Sequence, residues 1–77
     1  MTKKENLNIR DNHLCNLKIE GRKGTWYAVK SFDYHDDVFY ELESEQYGDE
    51  AEHIIVNKKT MTEPSEDFAS YLLYGLN

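Results

Sequence analysis

The sequence has one cysteine and one proline in 77 residues. A single cysteine excludes an internal disulfide, so no covalent staple supports the fold. A free thiol fits a reducing, cytoplasmic setting better than a secreted one. No apolar run approaches the roughly 20 residues of a membrane span, so no membrane association is expected. Residues 1–6 carry no apolar segment behind Lys3 and Lys4, and they do not read as a secretory leader. There is no glycine-rich phosphate loop and no nucleophile elbow. Bases are also scarce in the second part of the chain. Residues 1–32 hold seven bases and three acids (+4), whereas residues 33–77 hold two bases and twelve acids (−10), which together give the net −6. An asymmetry of this kind bears on partners rather than on fold.

What is present argues for a folded domain. Six tyrosines, three phenylalanines and one tryptophan exceed what a disordered acidic chain carries, and each supplies a large buried area. The length fits one small domain over residues 1–77. Such a chain buries only about 60% of its unfolded surface, so its core is thin.

Residues 15–20 alternate apolar and polar, the pattern of a half-buried strand with Cys15, Leu17 and Ile19 inward. Gly21 and Gly24 frame a turn that needs positive φ. Residues 25–32 are rich in β-branched and aromatic types and predict a second strand. Both Trp26/Ala28 and Tyr27/Val29 are plausible inner sets for it. Residues 33–37 read as a polar turn.

A third strand over residues 38–46 places Val38, Tyr40 and Leu42 on one face. Phe39, Glu41, Glu43 and Glu45 fall on the other, the expected solvent face. Tyr47, Gly48, Asp49 and Glu50 supply a turn, and residues 51–57 return antiparallel. A further turn spans residues 57–60, with a short strand possible at 60–62. Pro64, the cap residue Ser65 and the acids Glu66 and Asp67 open a helix. Phe68, Tyr71, Leu72 and Leu76 recur at helical spacing, and Gly75 ends it. The expectation is therefore α+β: an antiparallel meander of four to five strands over residues 13–62, with one C-terminal helix at 64–75 on one face. Residues 1–12 are expected to be flexible.

Candidate chemistry is sparse. His13 and Cys15 lie two apart, and His35, Asp36 and His53 are further possible ligands. Closed zinc sites use paired ligands at tight spacings that are missing here, so no metal or cofactor is expected. Cys15 with a histidine, or the many carboxylates, would be the raw material of catalysis, but a domain this thin leaves little room for a desolvated pocket, and no enzyme activity is expected. Trp26 and Tyr27 in the basic third could stack on a nucleic-acid strand, yet the acids that follow argue against direct nucleic-acid binding.

The acids themselves are the candidate contact surface: Glu41, Glu43, Glu45, Asp49, Glu50 and Glu52. They either solvate the sheet and discourage edge pairing, or imitate phosphates and inhibit a nucleic-acid-binding protein of a host. Alternate strand residues are about 6.6 Å apart, against one DNA charge per roughly 1.7 Å of axis. The strand glutamates alone are therefore too sparse, and the turn acids would have to join them.

The stretch GTWYAVKSFDYHDDVFYELESEQYGDEAEHIIVNKKTMTEPSEDF resembles the large polyvalent protein-associated domains, most nearly the twenty-eighth of that numbered series. Trp26-Tyr27, the turn SEQYGDEAEHIIVN and the following helix carry the likeness, which covers about residues 15–74. The resemblance implies a small module, alone or inside long multidomain proteins of phages and conjugative elements. It implies no catalytic residues and no cofactor. The combined expectation is a non-enzymatic interaction module with a protein partner.

Overall fold

The computed structural model describes residues 2–8, 14–45 and 51–75. Four strands, β1 (Lys3–Asn6), β2 (Trp26–Tyr34), β3 (Asp37–Ser44) and β4 (His53–Asn57), precede one helix, α1 (Glu66–Tyr74). The strands form an antiparallel meander in the order β1-β2-β3-β4, with the C-terminal helix packed against it. The protein is thus an α+β domain, as its patterning predicts.

One strand is not where the sequence pattern puts it. The alternation over residues 15–20 survives in burial, with Ile19 buried and Leu17 half-buried between exposed neighbours. As a ladder, however, it shrinks to a single bridge between Leu17 and Trp26, because Asn16 takes φ 57° and bends the backbone out of extension. The first sheet position falls instead to β1, at the chain start where flexibility was expected. Its four residues are exposed and mostly charged, which suits an edge strand that must not recruit further strands. The short strand considered at residues 60–62 is replaced by a turn. Met61 N–H donates to Asn57 O at 2.7 Å, Lys59 N–H donates to Asn57 Oδ1 at 2.8 Å, and Met61 sits at φ 54°.

Both sheet faces are covered. On one, Trp26, Ala28, Leu42, Ile54 and Val56 pack under the segment carrying Leu14, Leu17 and Ile19. On the other, Phe32, Phe39 and Ile55 pack under Leu72, Phe68 and Leu73 of α1. The two candidate inner sets of β2 are resolved by a β-bulge between Ala28 and Lys30. Strand side chains alternate with period two, so one extra residue swaps faces. Trp26 and Ala28 therefore face the 14–25 segment, while Lys30 and Phe32 face the helix side, opposite Glu41 and Phe39.

The β2–β3 hairpin closes through His35 and Asp36, with His35 at φ 54°. Gly21 and Gly24 take φ 83° and 79°, as their turn requires. The β3–β4 pairing joins Phe39 to Asn57 and Glu43 to His53; the turn expected at residues 47–50 lies outside the described residues.

Helix α1 starts at Glu66 rather than at Pro64, which precedes the cap. Ser65 Oγ accepts from Phe68 N–H at 3.4 Å. Leu72 is fully buried, whereas Tyr71 is 45% exposed and belongs to the rim, not the core stripe; Leu76 lies outside the described residues. Gly75 closes the helix with φ −85°, so it is not there for a left-handed turn. A Cβ at Gly75 would come within 2.7 Å of Tyr71 O, so close approach is the reason for glycine.

Candidate functional site

Nine helical residues cannot roof the whole sheet face. α1 covers the end built by Phe32, Phe39 and Ile55 and leaves the other end open. There Lys4, Lys30, Glu41, His53 and Tyr74 line a recess of about 530 Å³. A neighbouring hollow of about 440 Å³ shares Arg22, His53, Leu73 and Tyr74 and runs on past Glu63. The strand register gathers these groups. Lys30 lies opposite Glu41, which lies opposite Ile55, and Glu43 lies opposite His53; the bulge at Val29 is what turns Lys30 to this side.

Glu41 is the centre of the recess. It is only 6% exposed, although the alternation of β3 placed it on a solvent face. That face is the one the helix caps, and Phe39 beside it is buried as well. A buried carboxylate needs partners. Lys4 Nζ lies 3.7 Å from Oε1, and His53 Nδ1 lies 3.1 Å from Oε2. An ionised carboxylate only accepts, so Nδ1 carries the proton and donates. Lys4 Nζ also stands 5.4 Å from the centroid of the Phe32 ring.

Among the described residues, the other candidate acids, Glu43, Glu45 and Glu52, have separate surroundings. Tyr27 O–H donates to Glu43 Oε2 at 2.6 Å. That bond, then burial, then the charges of Glu43 and Glu45 push the Tyr27 phenol up to about 12. Glu45 is half-buried, and its Oε2 has no hydrogen-bond partner among the described residues. Glu52 is exposed and lies 3.4 Å from Arg22 Nη1. Asp49 and Glu50 lie outside the described residues.

Arg22, in the Gly21–Gly24 turn of the segment covering one face, also makes a fork with Glu63, on the connection to the helix covering the other. Its Nε and Nη2 donate at 2.9 and 2.8 Å. These hydrogen bonds hold the Glu63 carboxyl below its usual value, against the opposing effect of burial.

The other residues weighed as ligands are scattered. His35 is in the β2–β3 loop beside Asp36, Cys15 is half-buried on the 14–25 segment, and His53 is engaged by Glu41; His13 lies outside the described residues. No group of three His, Cys, Asp or Glu converges to hold a metal among the described residues. No helix among them is long and apolar enough to cross a membrane. Lys30 and Tyr74, which sequence reasoning passed over, line the recess because of a bulge and a helix end.

The fold and recess define a small α+β module, a sheet with one helix and a charged notch beside it. Residues 6–63 match the large polyvalent protein-associated domain 18, and the chain belongs to that family. The twenty-eighth domain of the series, which the aromatic pair and the acidic turn had suggested, is thereby corrected to the eighteenth. The domain is typical of large polyvalent proteins of mobile elements. No curated protein and no solved structure matches the chain.

Proposed function

We propose that this domain is a non-enzymatic protein-interaction module, acting in the cytoplasm, whose contact surface is the recess beside α1. The observation that carries this reading is the open end of the helix-side face. There a half-roofed cavity of about 530 Å³ is rimmed by Tyr74, which is 76% exposed. An aromatic ring at the lip of a polar notch is the composition of an interface anchor. The Glu41–His53 pair fixes an imidazole, but no hydroxyl or thiol among the described residues is recorded as bonded to it for activation. The pair is better read as support for the notch floor.

The alternative of phosphate mimicry is weakened by the same geometry. Glu41 is turned inward, Glu43 is bound by Tyr27 and Glu52 lies beside Arg22, whereas a mimic needs its acids continuous and unpaired at the surface.

The test is affinity capture from host lysate with the parent, Tyr74→Ala and Lys30→Glu, at low and high salt. The expected result is a partner retained by the parent and lost by both variants while their circular dichroism stays native. Identical partners for all three would refute the assigned surface. Salt-sensitive capture of a nucleic-acid-binding protein by all three would favour mimicry.

A further inference from the structure

The recess gathers three bases, Lys4, Arg22 and Lys30, inside a chain of net charge −6. Lys4 is engaged by Glu41, and Arg22 by Glu63 and Glu52. Lys30 is half-buried and lines the same cavity, yet it has no ion pair among the described residues. A lysine that lines open space and has no counter-charge among the described residues can receive one negative charge.

We propose that the recess takes a single carboxylate from an acidic side chain of the protein partner, with Lys30 as its counter-ion and Tyr74 and Leu73 against the flanking chain. The proposal rests on the interaction-module reading and names the chemistry of its partner. A monoanion is favoured over a phosphate ester because, among the described residues, one cation of the lining has no ion pair. The field of a chain with net charge −6 also disfavours each further negative charge brought to it. The same argument excludes a nucleic-acid strand, which brings a row of charges.

The experiment is an amide-resolved NMR titration of the full chain with a capped pentapeptide carrying one Glu, its Gln counterpart, and inorganic phosphate. The variants are Lys30→Met and Lys30→Arg. The expected result is saturable shifts at Lys4, Lys30, His53 and Tyr74 with the Glu peptide and none with the Gln peptide. Affinity should fall about tenfold or more in Lys30→Met, the scale of a hydrogen bond to a charged group, and be largely kept in Lys30→Arg. Equal binding of both peptides, unchanged affinity in Lys30→Met, or preferential binding of phosphate would overturn it. If Lys30→Met does not fold, the peptide pair and the phosphate arm on the parent still decide. Failure here with capture still sensitive to Tyr74→Ala would remove the carboxylate alone. Carboxylate binding with capture insensitive to both variants would remove the docking surface alone.

Discussion

Replacing Glu41 by Gln tests whether the acid at the centre of β3 is a solvated surface charge or part of the packed interior. Removing one partner of a fully buried ion pair costs about 3–5 kcal/mol, whereas an exposed pair contributes about 0–1 kcal/mol. The Glu41 side chain is 8% exposed, but those of Lys4 and His53 are 28% and 40% exposed. Water can therefore resolvate the partners after the change but cannot have been solvating the carboxylate before it. The cost should lie between the limits, at about 1–2 kcal/mol, a large share of the few kcal/mol such a domain holds. Glu43→Gln is the control. Its carbonyl still accepts from Tyr27, and the effect should stay within about ±0.5 kcal/mol. The assay is urea unfolding followed by the fluorescence of Trp26, the one tryptophan, which is buried. With a slope of about 1 kcal/mol per molar urea for a chain this small, the midpoint should fall by about 1–2 M in Glu41→Gln and by less than about 0.5 M in Glu43→Gln. A Glu41→Gln midpoint coincident with the parent would refute the claim that the carboxylate is structurally engaged.

Leu72→Ala should cost about 2–5 kcal/mol, because Leu72 is fully buried against Phe32, Phe39 and Ile55; a parental thermal melt would mean the helix is undocked. Phe68→Ala should cost less than its buried equivalent, since Phe68 is only half-buried despite its edge-on ring contacts with Tyr34 and Phe39. Glu63 has a lowered folded-state value because of Arg22, so its contribution is present above the unfolded value of 4.5 and is lost as pH falls through the folded one. With Arg22 partly in solvent that contribution is about 0.5–1 kcal/mol, and the gap between parent and Glu63→Gln should close on acidification below 4.5; a pH-independent gap contradicts it. Tyr27, pushed up to about 12, should titrate by ultraviolet absorbance well above the ordinary tyrosine value of about 10. Its stabilising share, complete below pH 10, should fade as pH rises toward 12, and Glu43→Gln should bring its titration back toward the ordinary range.

Much of the fold was legible because it rests on local chemistry. Gly21 and Gly24 take the positive φ their turn demands, Ser65 caps the helix, and Val38, Tyr40 and Leu42 do share one face. Three features were not legible, each for a physical reason. The bulge at Val29 carries no glycine or other local mark, and it appears only when β2 is paired with β3. β1 is polar along its whole length, so no periodicity announces it; its strand character comes from backbone pairing with residues 30–33. Asn16 can enter the left-handed region at modest cost, and this breaks a strand that the alternation of apolar residues otherwise describes well.

The burial of Glu41 was hidden by the same cause that hid the bulge. Alternation tells which residues share a face, but not what lies above that face. Glu41, Glu43 and Glu45 share theirs with Phe39, and that phenylalanine was the sign that something covers it. A glutamate series interrupted by a large aromatic is better read as a face roofed at one end and open at the other. The roof here is too short to reach Glu41 with apolar side chains, so the sheet supplies Lys4 from one edge strand and His53 from the other to hold the carboxylate. One lysine, turned to this side by the bulge, is left without an ion pair among the described residues. The acid at the centre of β3 thus becomes the floor of a recess whose lining also carries three bases, which the acidic composition of residues 33–77 does not suggest.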